Sequence, residues 1–296
     1  MDEAPRTQHR IVLSDNLPYL RTLPDESVTL VYVDPPFNTG KRRTHTRIQV
    51  VRDDAGDRTG FGGRRYRTIR LGRMGYADVF DDYLDFLEPR LTEAHRVLRP
   101  DGTLYLHTDP RQVHLCRLLL DAIFGPSNFL NEIIWAYDFG GRPRDRWPPK
   151  HDNILVYAKA VGQHVFDRDA IERIPYMAPG LVGEARARRG KLPTDTWWHT
   201  IVPTRSRERT GYPTQKPLGI LRRIVAASSR PGDLVLDFFA GSGTTGMAAL
   251  ELGRTFILVD DNPEALRIMA TRFAAYPNIT WIGYDPQAQA PTNPCA

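Results

Sequence analysis

Two hydrophobic periods alternate along the chain. Short apolar runs rich in β-branched residues occur at Ile11-Val12-Leu13, Val28-Thr29-Leu30-Val31-Tyr32-Val33, 103–107, 132–135, 153–158, 233–239 and 255–259. Each reads as a buried strand. Between them lie segments of helical period at 17–23, 81–98, 113–124 and 247–252. The second of these sets Tyr83, Phe86, Leu87, Leu91, Ala94, Val97 and Leu98 near one face. Strands alternating with helices predict an α/β protein with a doubly wound, mostly parallel sheet.

Two strand ends carry candidate chemistry. The run ending at Val33 stops at Asp34-Pro35-Pro36-Phe37, because neither proline can donate to a ladder. In an open α/β sheet ligands bind at the carboxyl ends of strands. The turn offers a carboxylate acceptor and a flat aromatic face, which suits an amine-bearing planar ring such as a nucleobase. The plainer reading makes Asp34 a solvated turn residue and Phe37 part of the core. Four residues alone do not decide between the two.

The second end is the run 233–239, followed by Ala240-Gly241-Ser242-Gly243-Thr244-Thr245-Gly246, a helix, and a strand ending in Asp260-Asp261-Asn262. This is a βαβ unit with a glycine-rich first turn and an acid placed to accept from ribose hydroxyls. Gly241, Gly243 and Gly246 fit a dinucleotide pattern, so a nicotinamide oxidoreductase is an alternative. Asp237, just before the glycines, suits a cationic ligand better than a pyrophosphate. S-adenosylmethionine, with its adenosine, sulfonium and amino acid, accounts for acids on both sides of one glycine turn. Asp15 stands at the end of the first strand and reads as a helix cap, which is compatible with a ligand role.

Composition narrows the classes. The 296 residues are 41% hydrophobic and 25% charged, as in globular proteins. The first eight residues do not read as a signal peptide, and the apolar runs are too short to span a membrane. Two cysteines, Cys116 and Cys295, exclude a disulfide framework and suit a reducing cytoplasm. The net charge of +5 is compatible with nucleic acid. The excess is concentrated: 41–73 holds eleven Lys or Arg against three acids. With its glycines and weak periodicity, this stretch reads as a mobile basic loop. Lys41, Arg42, Arg43, Arg64, Arg65 and Arg67 are its candidate phosphate contacts. Two further basic stretches rich in Pro, Gly and Trp, 139–150 and 186–209, contribute Arg142, Arg144, Arg186, Arg188 and Arg189. No repeat or heptad pattern is evident.

Together the motifs carry a resemblance. Asp34-Pro35-Pro36-Phe37-Asn38-Thr39-Gly40 and Asp237-Phe238-Phe239-Ala240-Gly241-Ser242-Gly243-Thr244-Thr245 resemble the catalytic and cofactor motifs of DNA amino-methyltransferases. Arg209-Thr210-Gly211-Tyr212-Pro213-Thr214-Gln215-Lys216-Pro217 is similar to the segment that precedes the cofactor motif in that family. Catalytic motif first and cofactor motif last is the order of the β group.

The resemblance implies a Rossmann-like methyltransferase fold with an inserted recognition region. It implies S-adenosylmethionine as cofactor, no metal, and double-stranded DNA as substrate. Asp34 and the Pro35 carbonyl would accept from the target amino group, with Pro36 completing the turn and Phe37 stacking on the base. Asp260 would hold the ribose, with Asp261 and Asn262 beside it, and Asp15 would lie near the adenine. Phe239, Ala240, Gly241, Ser242, Gly243 and Thr244, with Thr214 and Lys216, would line the methionine portion, and Asp34 and Asp237 would border it. Asp in the first motif position favours adenine N6 over cytosine N4. Carbon-5 cytosine methylation needs a thiolate, and neither cysteine lies near a motif. A nucleic-acid-binding module with a decayed site is disfavoured by the intact Asp34 and Asp237.

The expected organisation is a catalytic half over 1–137 carrying the basic loop at 41–75, a target-recognition region over 138–212 including the strand 153–158, a cofactor-binding half over 213–284, and a disordered tail over 285–296. A cognate restriction endonuclease and a second copy of the chain are candidate partners. The expected location is a bacterial-type cytoplasm, in association with the nucleoid through DNA.

Overall fold

The computed structural model describes residues 8–36, 43–52, 55, 58–59, 65–76 and 83–288. In chain order the elements are β1 His9–Leu13, α1 Asn16–Leu20, β2 Val28–Val33, β3 Arg43–Arg52, β4 Arg58–Thr59, β5 Arg65–Tyr76, α2 Tyr83–Val97, β6 Leu98–Thr108, α3 Val113–Phe124, β7 Phe129–Ala136, β8 His151–Ala158, α4 Glu184–Arg189, β9 Thr196–Trp198, α5 Leu218–Ser228, β10 Leu234–Asp237, α6 Thr244–Glu251, β11 Thr255–Asp260, α7 Pro263–Arg272 and β12 Ile279–Ile282.

Nine strands form one sheet in the order β12-β1-β11-β10-β2-β6-β8-β7-β9. The pairings from β12 to β6 are all parallel. All six residues of β2 are buried, as its unbroken apolar run requires. The sheet is covered on both faces. Leu30 and Tyr32 of β2 join a core with Ile220, Leu221 and Ile224 of α5, Ala248 and Ala249 of α6, and Leu266 and Met269 of α7. The helices α1 and α3 each pack against α2, and α2 contacts β6 while α3 contacts β8.

From β10 the chain passes through α6 to β11 on one side. From β2 it eventually reaches β6 on the other. The carboxyl ends of β10 and β2 therefore flank a topological switch point, where a crevice opens between loops that diverge. Asp237 and Asp34 stand at those two ends.

Pro100-Asp101-Gly102, between the helical period over 81–98 and the apolar run 103–107, lies inside β6. The β2–β6 register jumps from Val28 opposite Leu98 to Leu30 opposite Thr103, so these residues bulge out of the ladder.

The strand 153–158 is part of the main sheet: β8 lies antiparallel between β6 and β7, and seven of its eight residues are buried. The basic stretch is not an irregular loop where it is described. The compact unit 38–81 holds a three-stranded antiparallel sheet, β3-β5-β4, with β3 paired to β5 from Arg43 opposite Tyr76 to Arg52 opposite Tyr66. In the sequence, Thr44, Thr46, Ile48 and Val50 recur at period two with β-branched side chains, a strand signal that the charges around it obscure.

Of the expected tail, 285–288 is described as bends and a turn, and 289–296 lies outside the described residues. Among the described residues no helix is long and apolar enough to cross a membrane.

Candidate active site

The site is built on the ends of four neighbouring parallel strands. After β2, Pro35 is buried and Asp34 is half-buried, its side chain 15% exposed. Asp34 Oδ2 lies 2.9 Å from Lys216 Nζ, itself only 12% exposed. Among the described residues the buried Asp34 Oδ1 has no hydrogen-bond partner. A buried carboxylate oxygen left open costs free energy unless a ligand donates to it. It is an acceptor held ready for a donor. Phe37, Lys41, Arg42 and Arg64 lie outside the described residues.

The glycine turn is shaped from both sides. Gly241 and Gly243 have φ of +52° and +73°, which side-chain-bearing residues rarely adopt. A Cβ on Gly243 would meet Phe273 at 2.8 Å and Met269 at 2.9 Å. Gly243 caps α6, whose first-turn amides open onto the turn.

Asp260, ending β11, accepts from the Gly241 amide at 2.8 Å and the Asn262 amide at 3.0 Å. Burial pushes its carboxyl up to about 6. Asp237, ending β10, is 2% exposed and accepts from Thr245 Oγ1 at 2.5 Å and the Phe239 amide at 3.0 Å. Burial, added to by Asp34 and Asp260, pushes it up to about 7, against the pull of those hydrogen bonds. Asp237 thus holds the turn from behind.

Other expected residues fall as follows. Phe239 is half-buried and tilts against Phe86. Ala240 is buried. Ser242 and Thr244 turn inward: Arg272 Nη1 donates to the Ser242 carbonyl at 2.9 Å and to Thr244 Oγ1 at 3.0 Å. Thr244 Oγ1 also donates to the Lys216 carbonyl at 3.2 Å, tying the glycine turn to the 209–217 segment. Thr214 is half-buried on that segment, and Tyr212 covers Gly241.

Asp15 caps α1 by accepting from the Leu17 amide at 3.0 Å, and Arg90 pairs with it at 3.3 Å. Asn262 caps α7 by accepting from the Glu264 amide, while Asp261 is exposed. Arg43 begins β3, and Arg65 and Arg67 are exposed on β5. Arg142 and Arg144 are exposed, Arg142 paired with Asp138. Arg186, Arg188 and Arg189 are exposed on α4, with Arg188 paired to Glu184.

Several structural partners were not singled out by sequence reasoning. Asn16 Nδ2 donates to the Phe238 carbonyl at 2.8 Å, and Arg90 Nε donates to Asn16 Oδ1 at 2.6 Å. This joins the β1 end to the β10 end. Arg272, which pins the glycine turn, and the buried pair His107 and Asp152 complete the set. Each is joined to its partner across the fold and carries no local signature.

The donor set fits a cationic nucleoside ligand. Three carboxylates, Asp34, Asp237 and Asp260, end the strands around the switch point, beside a glycine turn that Tyr212 covers at Gly241. Comparison with known proteins agrees. The DNA methylase family model matches residues 28–271, and the chain belongs to that family. It is 30% identical to the DNA adenine methyltransferase YhdJ of Escherichia coli over 271 residues, covering 87% of this chain and 80% of that one. It is likewise 30% identical over 263 residues to the type II methyltransferase M.HpaI of Haemophilus parainfluenzae, covering 89% and 73%.

Among solved structures, the cytosine-N4-specific PvuII DNA methyltransferase superposes with a TM-score of 0.61 at 17% identity, over 90% of this chain and 87% of that one. M1.HpyAVI in complex with SAM superposes with 0.55 at 19%, over 89% and 98%. At these identities the two structures establish the fold alone. Family membership sets aside the nicotinamide oxidoreductase.

Proposed function

We propose that this chain transfers a methyl group from S-adenosylmethionine to the N6 amine of an adenine flipped out of duplex DNA. The observation that carries this reading is Asp34: a partly buried carboxylate with one oxygen unpartnered among the described residues, at the switch point beside a glycine cradle. The adenine activity named for a relative at 30% identity supports the choice of base.

An exocyclic amine is a weak nucleophile because its lone pair is delocalised into the ring. Acceptors placed on its hydrogens, Asp34 Oδ1 and the Pro35 carbonyl, favour a pyramidal nitrogen and stabilise the positive charge that develops there. When bound, S-adenosylmethionine supplies an electrophilic methyl group on a sulfonium. Asp260 and its neighbour Asp261 are proposed to hold the ribose. Gly241 and Lys216 are proposed to face the amino-acid end, with Phe239 beside them. Ser242, Gly243 and Thr244 keep the turn in shape through Arg272. Stacking on Phe37 would offset part of the few kcal/mol needed to unstack the base.

The exposed arginines of β5, α4 and the 139–150 segment are the proposed phosphate contacts. Relatives named type II methyltransferases support a cognate restriction endonuclease as a partner. Incubation with labelled cofactor and mixed-sequence DNA, followed by nucleoside analysis, tests the reading. N6-methyladenine is expected, and N4-methylcytosine would move the target to the other amine served by the same chemistry.

A further inference from the structure

A chain of polar side chains runs inward from Asp34. Tyr32 of β2, His107 of β6 and Asp152 of β8 sit on three adjacent strands of the sheet. The Tyr32 hydroxyl lies 2.8 Å from His107 Nδ1, and His107 Nε2 lies 3.2 Å from Asp152 Oδ2. Tyr137 Oη donates to Asp152 Oδ1 at 3.0 Å. His107 is fully buried, with the Trp135 ring edge-on to it. Its Nδ1 stands 4.0 Å from Asp34 Oδ1, the oxygen without a hydrogen-bond partner among the described residues.

A buried imidazole flanked by two carboxylates is an expensive arrangement for a purely structural strand residue, since apolar side chains would fill the same space. Burial alone would raise the Asp152 carboxyl. The His107 ring, Lys216 and the Tyr137 hydroxyl outweigh burial and hold it below its usual range. An ionised Asp152 accepts only, so His107 Nε2 carries the proton. Burial, reinforced by Asp34, Asp237 and Asp152, keeps the Tyr32 phenol protonated. Tyr32 therefore donates, and Nδ1 is the bare nitrogen. The imidazole presents its basic atom toward Asp34.

The proposed reaction needs such a base. Once the new N–C bond forms, the amine nitrogen holds two hydrogens, a methyl group and a positive charge. One proton must leave to give the neutral product. Resting on the methyltransferase reading of the site, we propose that His107 and Asp152 are positioning residues that drain this proton through Asp34. The proton passes from the amine to the Asp34 carboxylate. Asp34 then passes it to His107 Nδ1, as the Tyr32 O–H proton rotates off Nδ1 and the 4.0 Å gap closes by about 1 Å to hydrogen-bond length.

The resulting imidazolium is held by Asp152, as in a carboxylate-oriented histidine general base. Asp152 stays ionised throughout, and once the methylated base has left, the imidazolium returns its Nδ1 proton through Asp34, whose side chain is 15% exposed, to solvent, which restores the resting tautomer. Tyr137, bonded to Asp152, lines an open cavity of about 740 Å³ with Arg111, Phe139, Arg142 and Lys150. The groups facing the relay are Tyr32, Asp34, Asp152, Tyr137 and Trp135, with Lys216 and Asp237 as the further charges at its Asp34 end.

The test uses the full-length chain and DNA that the wild type methylates. His107→Gln keeps a donor for Asp152 and an acceptor for Tyr32 but cannot carry the proton. Single-turnover methyl transfer measured from about pH 5.5 to 9 should fall about 100-fold in this variant, in the range of general-base contributions, and lose its acid limb. Cofactor affinity by calorimetry and melting temperature should stay near wild type. Asp152→Asn should slow transfer less and move the acid limb. In the free protein, ¹⁵N shifts of the His107 ring should report Nε2 protonated and Nδ1 bare, and Asp152→Asn should change them.

A His107→Gln enzyme with wild-type rate and pH profile would overturn the proposal, as would a free-protein ring with Nδ1 protonated and Nε2 bare. If His107→Gln does not fold, an unaltered Asp152→Asn rate and pH profile would overturn it. Absence of methyl transfer by the wild type would instead count against the activity itself.

Discussion

Lys216 Nζ and Asp34 Oδ2 form a 2.9 Å ion pair across the switch point, joining the turn after β2 to the segment before α5. The Lys216 carbonyl also accepts from Thr244. One residue thus contacts both Asp34 and the glycine turn. Asp34, Asp237 and Asp260 end three neighbouring strands, and Lys216 is paired with the first of them. The pair is largely shielded, so removing one partner strands the other. Lys216→Met and Asp34→Asn should each destabilise the free protein by about 1–3 kcal/mol. The double variant should cost less than their sum. Urea unfolding of all four proteins measures the coupling, and strict additivity would show that the pair contributes nothing.

Arg272 should matter to the cofactor although it is placed behind the turn. It donates to the Ser242 carbonyl and Thr244 Oγ1, and burial draws its guanidinium down to about 10. Arg272→Met leaves those acceptors unpaired. S-adenosylmethionine affinity should fall by about 1–3 kcal/mol, the cost of losing charged hydrogen bonds. Calorimetric titration checks this, and an unchanged affinity would mean that the turn holds its shape without Arg272.

Asp237 gives the free protein a pH dependence of known sign. Its carboxyl titrates at about 7 when folded, against an unfolded value near 3.8, because burial disfavours its charge. Between those values the folded protein holds a proton that the unfolded chain does not. The group's contribution to stability is therefore full below about pH 4 and declines as pH rises toward 7, by on the order of 2–4 kcal/mol. Asp260, raised to about 6, acts in the same direction. A cationic ligand favours both ionised forms, so S-adenosylmethionine should bind more tightly as pH rises from about 5.5 to 8, with protons released on binding. Calorimetry in buffers of different ionisation enthalpy counts those protons. Zero release at pH 6.5 would contradict the assignment.

The basic sheet should act on DNA and not on the cofactor. Arg65 and Arg67 are exposed on β5 in a stretch of strong positive charge. Replacing both by Gln should weaken DNA binding across sequences and reduce the salt slope by about one for each phosphate no longer neutralised. S-adenosylmethionine affinity should not change. Fluorescence anisotropy over a salt series reads the DNA affinity and its slope, and an unaltered slope would show that neither arginine meets a phosphate.

The parts of the site that were readable in the sequence are those whose signal is local. A β-branched run stopped by two prolines marks the β2 end, and strand, glycines, helix, strand and acid follow one another within 233–262. The partners that hold these parts in place come from far along the chain. Asn16 reaches Phe238 across 222 positions, and His107 meets Asp152 across 45. Nothing near either residue in the chain signals its partner.

In other places a local signal was present and was outweighed. The period-two row in β3 lies among charges and glycines that favour a loop reading. Asn262-Pro263 is a capped helix start with proline at its first position, yet Asn262 also stands beside an acid that invites a ligand role. The structure spends its side chain on the cap. Ser242 and Thr244 look like ligand contacts in a glycine turn, and only α7 reveals that they face Arg272.

Asp34 is proposed to serve an amine methylation of DNA. The most direct measurement is nucleoside analysis of mixed-sequence DNA after incubation with labelled S-adenosylmethionine and either the wild type or Asp34→Ala, with cofactor affinity measured in parallel. The expected result is labelled N6-methyladenine from the wild type, none from Asp34→Ala, and cofactor affinities within a few-fold of each other, about 1 kcal/mol. Near-normal methylation by Asp34→Ala, or a wild type that binds the cofactor and modifies no base amine, would contradict it.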